Sequence, residues 1–426
     1  MNKITTMAAA VLAAVFISSC GNRANAPENE TDLSVAHKYT NPTPGEFPIL
    51  GWFSIRGSEN QTRERYLEMA ECGFNLSLPY VDSLSEVRLA LDASRGTGVR
   101  IIAKCAELDS LPEQTVGELM SHPSLAGYFF KDEPHMELYG QLADRVRRVR
   151  AVDDSKMLYL NLFPTYAGPV LLGTDSYNEY ISRFIEDVGT GMVSYDHYSI
   201  TADTLGHTAL NPDYYKNLEI VSEESRRAGV PFWAFALSTA HYSFPAATRE
   251  HLRLQMFSNL AYGAQGVEYF TYWQFPGLGE SQDVPITNAG QRGTSWYIVR
   301  DLNREIRALT PVFLGAEVVG VWHSGDSIPE GTRRLESLPQ GIKSLKAEGG
   351  SGVLVSHLRN GHDEYIMVVN RDLHSQQRLT VEAEDGAEYV VADGNMVDYG
   401  KMSPQHLLAP GDYVLLKLPD PATTRS

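Results

Sequence analysis

The sequence predicts an α/β fold, a (β/α)8 TIM barrel followed by a small C-terminal β-sandwich. Three observations carry this reading. Short apolar segments alternate with helical stretches eight times between about residues 48 and 314. Helix after helix ends in glycine just ahead of the next apolar segment. Helical periodicity then stops after about Pro311, where short strand-like pieces separated by Gly and Asp turns take over.

The elements follow in order. Gly51-Trp52-Phe53 opens the series, and Phe74 to Tyr80, Val99 to Cys105 and Leu125 to Phe130 continue it. Met157 to Phe163, Gly191 to Tyr198, Pro231 to Leu237 and Gly266 to Trp273 complete it. The later segments are apolar throughout, as strands buried on both faces should be. Helices are expected at Thr62 to Glu71, Ser85 to Ser94, Glu113 to Met120, Glu137 to Val152, Tyr177 to Val188, Tyr214 to Ala228, Thr248 to Tyr262 and Ser295 to Leu309. Gly73, Gly98, Gly189, Gly229 and Gly263 stand where a left-handed residue closes a helix. A barrel of this kind takes about 250 residues, which the span from 46 to 314 supplies. A doubly wound open sheet is the competitor, but its GxGxxG fingerprint is missing. Residues 315–426 carry strand patterns at Glu317 to Trp322, Gly352 to His357, Glu364 to Val369, Gln377 to Ala383 and Asp412 to Lys417. They read as a sandwich that either supports the barrel or binds glycan.

The first twenty residues read as an address. Lys3 precedes an unbroken apolar run from Met7 to Ile17, too short to span a bilayer. Ile17-Ser18-Ser19-Cys20-Gly21 resembles a bacterial lipoprotein signal, with Ile17 where that pattern usually has Leu. The resemblance implies a lipidated Cys20 and a chain exported and anchored to the outer membrane or cell envelope. An ordinary secreted chain and an uncleaved anchor are the alternatives. Residues 21–45, rich in Asn, Pro, Glu and Ala, read as a tether.

Composition narrows the function. Of 426 residues, 43% are apolar and 21% charged, which excludes a disordered chain or a coiled-coil rod. The 36 basic residues are outnumbered by 53 acidic ones, for a net charge of -17, and no basic block interrupts the excess. A nucleic-acid partner is therefore not expected, nor is attraction to anionic lipid by charge. The expected partner is a neutral oligosaccharide or glycoside, while the oligomeric state is open. Cys72 and Cys105 have no metal-ligand spacing and read as small packed side chains. With no HExxH and no serine elbow, neither metal nor cofactor is expected.

In a (β/α)8 barrel the chemistry lies just beyond the strand ends. The fourth segment runs Gly127-Tyr128-Phe129-Phe130-Lys131-Asp132-Glu133-Pro134, so two carboxylates follow a buried strand. Alternation along a strand predicts that only one of them faces the cleft. Pro134 predicts an extended backbone at Glu133. A carboxyl shielded there by aromatic rings has the raised pKa that a general acid needs.

Asp132-Glu133-Pro134 resembles the Asn-Glu-Pro motif of the retaining (β/α)8 glycoside hydrolase superfamily. The resemblance implies that Glu133 is the acid/base and that Asp132 replaces the Asn that contacts the sugar 2-hydroxyl. Trp273, after Tyr269, matches that superfamily's sugar platform. The stretch from Arg253-x-Gln255 to Phe270-Thr271-Tyr272-Trp273 is similar to the closing part of barrel β-galactosidases and their relatives from gut-type bacteria. One departure matters. The superfamily's nucleophilic Glu ends strand seven, whereas Phe232-Trp233-Ala234-Phe235-Ala236-Leu237-Ser238 has no carboxylate.

A two-carboxylate mechanism therefore needs its second acid elsewhere. Asp196, in Ser194-Tyr195-Asp196-His197-Tyr198, is the first candidate; a hydroxyl ligand or a brace for His197 is its alternative. Glu268, near the start of strand eight with Arg253 or Lys104 as partner, and Asp82, after strand two, come next. Trp52, Tyr80, Lys104, Asp132, Asn161, His197, Tyr198 and Trp273 are the expected substrate-binding residues. The leading function is hydrolysis of a glycosidic bond. A barrel that binds glycan without cleaving it is the alternative.

Overall fold

The computed structural model describes residues 38–275 and 283–420, so the lipoprotein signal with Cys20, and most of the tether, lie outside the described residues. Among the described residues no helix is long and apolar enough to cross a membrane.

Eight parallel strands form the first layer: β1 (Ile49–Gly51), β2 (Leu76–Ser77), β3 (Arg100–Ala103), β4 (Leu125–Asp132), β5 (Met157–Asn161), β6 (Val193–Tyr195), β7 (Phe232–Leu237) and β8 (Gly266–Phe270). Hydrogen bonding runs from β5 through β4, β3, β2 and β1 to β8, β7 and β6. The ring closes where the Leu162 amide, just past β5, donates to the Ser194 carbonyl of β6 at 2.8 Å. The apolar segments become strands because helices cover one face and the barrel interior covers the other. All six residues of β7 and all five of β5 are buried.

The helices begin and end where their caps say. Ser83 and Glu86 form a reciprocal capping box before Leu84–Ser94. Gly229, at φ 68°, ends Tyr214–Ala228 in the left-handed conformation. The expected helix over Tyr177 to Val188 is instead α-helical to Arg183 and then a π turn over Phe184–Val188. A hairpin, Ile200–Ala202 with Thr208–Leu210, occupies the long loop after β6.

Beyond the short helix Thr310–Phe313 the chain builds two antiparallel sheets. Their strands are β9 (Glu317–His323), β10 (Ile342–Glu348), β11 (Val353–Asn360), β12 (Asp363–Asn370), β13 (Gln377–Ala383), β14 (Glu388–Val390), β15 (Met396–Asp398), β16 (Gln405–Leu408) and β17 (Tyr413–Lys417). One sheet is ordered β9-β11-β12-β17-β14-β15 and the other β10-β13-β16. Of these, β10, β14, β15 and β16 escape the sequence pattern because they are short or half exposed.

The helix Arg249–Ala261 lies between barrel and sandwich and is buried from His251 to Ala261. Arg253 on it donates to Glu305 of the barrel and to Asp412 of the sandwich, both at 2.5 Å. Ser356 of β11 donates to the Ala261 carbonyl at 2.6 Å. Tyr413 of β17 packs its ring at a tilt against Phe257 and donates to Glu305 at 2.8 Å.

Candidate active site

Strand β4 delivers two acids to the barrel mouth. Its first six residues are buried, and Lys131 and Asp132 emerge into solvent. The pairing register with β5 shifts between Phe129 and Lys131, the kind of irregularity that re-aims side chains beside a site. The Glu133 amide still donates to the Asn161 carbonyl at 2.8 Å. Its backbone then turns left-handed, at φ 44°. Two expectations are corrected here. Pro134 does not hold Glu133 extended, and the break in strand geometry ends the alternation, so Asp132 and Glu133 both serve the same mouth. A non-glycine residue in that conformation stores strain, which is tolerated where the surroundings over-determine it. The Tyr180 hydroxyl, 2.7 Å from the Pro134 carbonyl, is one such constraint.

Asp196 arrives from the end of β6, and Asn161, at the end of β5, ties the acids together. Its side chain is 1% exposed. One Nδ2 donates to Asp132 Oδ1 at 3.1 Å and to Asp196 Oδ1 at 2.9 Å. Burial pushes the Glu133 carboxyl up to about 7, and the Asp132 carboxylate adds to the push. Asp196 is raised well above the usual carboxylate range, first by burial, then by Glu133 and Asp132, against hydrogen bonds from Asn161 and Tyr198. Asp132 is raised as well, by the desolvating cleft walls, although solvent reaches it. The charge of Asp132 thus weighs on Glu133, and both weigh on Asp196.

Of the remaining acids, Glu268 lies in the middle of β8 rather than near its start, fully buried inside the barrel. Its partners are Ser194, at 2.8 Å, and the Tyr159 hydroxyl, and burial drives its pKa up to about 8. Arg253 and Lys104, the expected partners, are engaged elsewhere: Arg253 at the sandwich, and Lys104 with Asp82 at 3.2 Å. Asp82 is held by that pair at the rim, its side chain largely in solvent, and does not join the acid cluster.

Other expected binding residues are redistributed. Trp273 is 2% exposed with the Arg65 guanidinium over its ring, so it packs rather than forming an open platform. Trp52 is equally buried, wedged among Phe129, Tyr159 and Phe235 inside the barrel. His197 turns into the wall, where Nε2 meets Asp213 at 2.9 Å; neither a sugar subsite nor a brace by Asp196 describes it. Burial lowers the His197 pKa despite Asp213. Tyr198 is buried but stays at the cleft wall against Asp196. Tyr80 is part of the mouth.

The sequence reading missed the wall opposite the acids. Tyr80 meets Phe53 at 4.9 Å, and Phe53 stacks on Phe275 at 5.5 Å between ring centres. Phe275 adjoins Phe270, which contacts both Tyr198 and His241. All but Tyr198 are half-buried, leaving aromatic surface at the opening. The mouth is thus divided, with acids from β4–β6 on one side and rings from the ends of β1, β2, β7 and β8 on the other. The end of β7 holds no acid: Ser238 and Thr239 are buried and both donate to the Thr271 carbonyl. Among the described residues no group of three or more His, Cys, Asp and Glu side chains is arranged to hold a metal ion.

No protein-family model matches this chain, and no curated protein does. Solved structures do match. A catalytic mutant of a family-42 β-galactosidase from G. stearothermophilus gives a TM-score of 0.54 at 9% identity, over 90% of this chain and 100% of that one. A family-5 glycoside hydrolase from Bacteroides vulgatus gives 0.52 at 10% identity, over 88% and 90%. A β-galactosidase from the psychrophilic Marinomonas ef1 gives 0.43 at 12% identity over 62% of this chain, which spans 60% of its length. What this chain shares with the first two is the fold, a barrel architecture also used by glycoside hydrolases.

Proposed function

We propose that this protein hydrolyses glycosidic bonds in a neutral glycan or glycoside, with Glu133 and Asp196 as the working carboxyl pair. The observation that carries the reading is the gathering of Glu133, Asp132 and Asp196 in one mouth opposite an aromatic wall. Rings stack on sugar faces, and paired carboxyls supply acid and base. Glu133, at about 7, titrates in the range where one group can both give and take a proton. Asp196 is raised well above the usual carboxylate range by burial and by its two acid neighbours. To act as base or nucleophile it must be ionised as substrate enters, with Glu133 holding the proton in its place.

Turnover of a panel of 4-nitrophenyl glycosides and of oligosaccharides tests the reading. Glu133→Gln and Asp196→Asn should each lower kcat by about 10²–10⁴. Loss of the acid should spare the activated 4-nitrophenyl substrates more than the oligosaccharides, because a good leaving group needs little protonation. Full activity in both variants sinks the assignment. A second reading, glycan binding without cleavage, is favoured by the absence of an acid at the end of β7; glycan affinity without product release would select it. We also propose export and lipid anchoring through Cys20, which Cys20→Ala should abolish, moving the protein from the membrane to the soluble fraction.

A further inference from the structure

Glu268 is a carboxyl sealed inside the barrel, and the proposed chemistry does not touch it. In register it lies beside Leu50 of β1 and Phe235 of β7. One oxygen is 2.8 Å from Ser194 Oγ and the other meets the Tyr159 hydroxyl. Ser194 Oγ is also 3.0 Å from Asn161 Oδ1. Asn161 Nδ2 in turn reaches Asp132 and Asp196. These groups form one hydrogen-bonded chain from the sealed acid to the mouth.

The protons along that chain can be counted. An amide nitrogen carries two hydrogens and a hydroxyl carries one. Both Asn161 hydrogens go to the aspartates, so Asn161 turns its oxygen toward Ser194. That oxygen requires the serine hydrogen. Ser194 then has none left for Glu268 and must accept there. An ionised Glu268 has nothing to donate, which would leave two acceptors facing each other at a buried contact. A protonated Glu268 donates to Ser194 through one oxygen and accepts from Tyr159 through the other. With the Asn161 amide in that orientation the neutral acid satisfies every link, and the Tyr159 hydroxyl, which also lies 3.2 Å from Ser194 Oγ, keeps its hydrogen for Glu268.

We infer that Glu268 is a positioning residue, a neutral acid that sets the direction of the Ser194–Asn161 chain and locks the Asn161 amide onto Asp132 and Asp196. Its functional consequence rests on the proposed role of Asp196; the proton count does not. The groups around Glu268 favour neutrality. Leu50 and Phe235 are apolar. Tyr159 of β5 and Tyr195 of β6 have phenols raised by burial, so they stay neutral. Asp132 of β4 is the charged neighbour acting on Glu268, and it opposes ionisation.

Glu268→Gln tests this, because the amide is an isostere of the neutral acid that still donates to Ser194 and accepts from Tyr159. Melting of the full chain is followed from pH 5 to 8 for wild type, Glu268→Gln and Glu268→Leu. Infrared difference spectra of wild type against Glu268→Gln are taken at pH 7. Folding keeps a proton on Glu268 that the unfolded chain releases above a pKa of about 4.3, so wild type loses stability as pH rises toward 8. Glutamine has no such dependence. The expected results are a Glu268→Gln midpoint that climbs relative to wild type with pH and a protonated-carboxyl stretch in wild type that the variant lacks. Glu268→Leu, which cannot donate to Ser194, should melt lower throughout. A Glu268→Gln midpoint that falls relative to wild type as pH rises, or a spectrum without that stretch, overturns the inference. Neither readout needs turnover, so failure of the hydrolase reading would be seen separately. If turnover is found, Glu268→Gln should keep kcat within a few-fold and Glu268→Leu should not.

Discussion

Asn161→Ala removes the joint of the acid cluster, and its cost can be worked from the structure. The amide gives two bonds to carboxyls, at 3.1 and 2.9 Å, and accepts one from Ser194 at 3.0 Å. A hydrogen bond to a charged partner contributes about 1.5–3 kcal/mol and a neutral one about 1 kcal/mol. Solvent reaches Asp132, so its bond counts at the low end, and the variant should lose about 4–5 kcal/mol at pH 8. The pH dependence has a definite sign. Asn161 holds the pKa values of Asp132 and Asp196 down. Without it both rise further, and the folded variant keeps protons that its unfolded chain has released. Its deficit against wild type therefore grows from pH 5 to pH 8. Melting at the two pH values is the assay, and a loss of about 4 kcal/mol in a chain of this size shifts the midpoint by roughly 4–8 °C. A loss under about 1 kcal/mol at pH 8, or one equal at both pH values, refutes the reasoning.

Three further outcomes follow from the same geometry. Arg253→Ala takes the guanidinium away from Glu305 and Asp412 beside a buried helix and should cost about 3–5 kcal/mol by urea unfolding; a loss below about 1 kcal/mol would show that the clamp carries nothing. Phe275→Ala opens the aromatic wall and should raise KM several-fold on any hydrolysed glycan while leaving kcat within about twofold, since stacking serves binding more than bond breaking; a fall in kcat alone would contradict this. The basic limb of kcat/KM should fall as pH passes about 7, where Glu133 loses its proton, and Glu133→Gln should remove that limb.

The barrel was legible in the sequence because its signals are local: eight apolar segments, helices between them, and glycines such as Gly229 where a left-handed turn closes a helix. Glu133 and Asp196 were legible because strand ends mark the mouth of this fold. What the sequence hid depends on three-dimensional direction. Trp273 matches a platform in sequence, but a buried ring under Arg65 offers no face. Arg253 and Gln255 belong to a stretch similar to barrel β-galactosidases, yet one clamps the sandwich and the other caps the Leu237 amide at 3.0 Å. Asn161 looked like one cleft residue among several, and nothing in its neighbours announced a link between two strands. Pro134 misled because a preference for extended backbone yields when surrounding contacts hold the turn. Phe53 and Phe275 sit more than two hundred residues apart, so their stacking has no local signature.

The helix Arg249–Ala261 gives this chain a thermal behaviour that its two-part outline conceals. It is the helix that follows β7, yet its outer side is the floor of the sandwich, with Arg253, Phe257 and Ala261 all engaged there. Loosening either layer strips the helix of half its cover and exposes a buried guanidinium. Barrel and sandwich should then melt in a single heat-absorption peak, and the C-terminal layer should resist removal by proteases until the whole chain gives way.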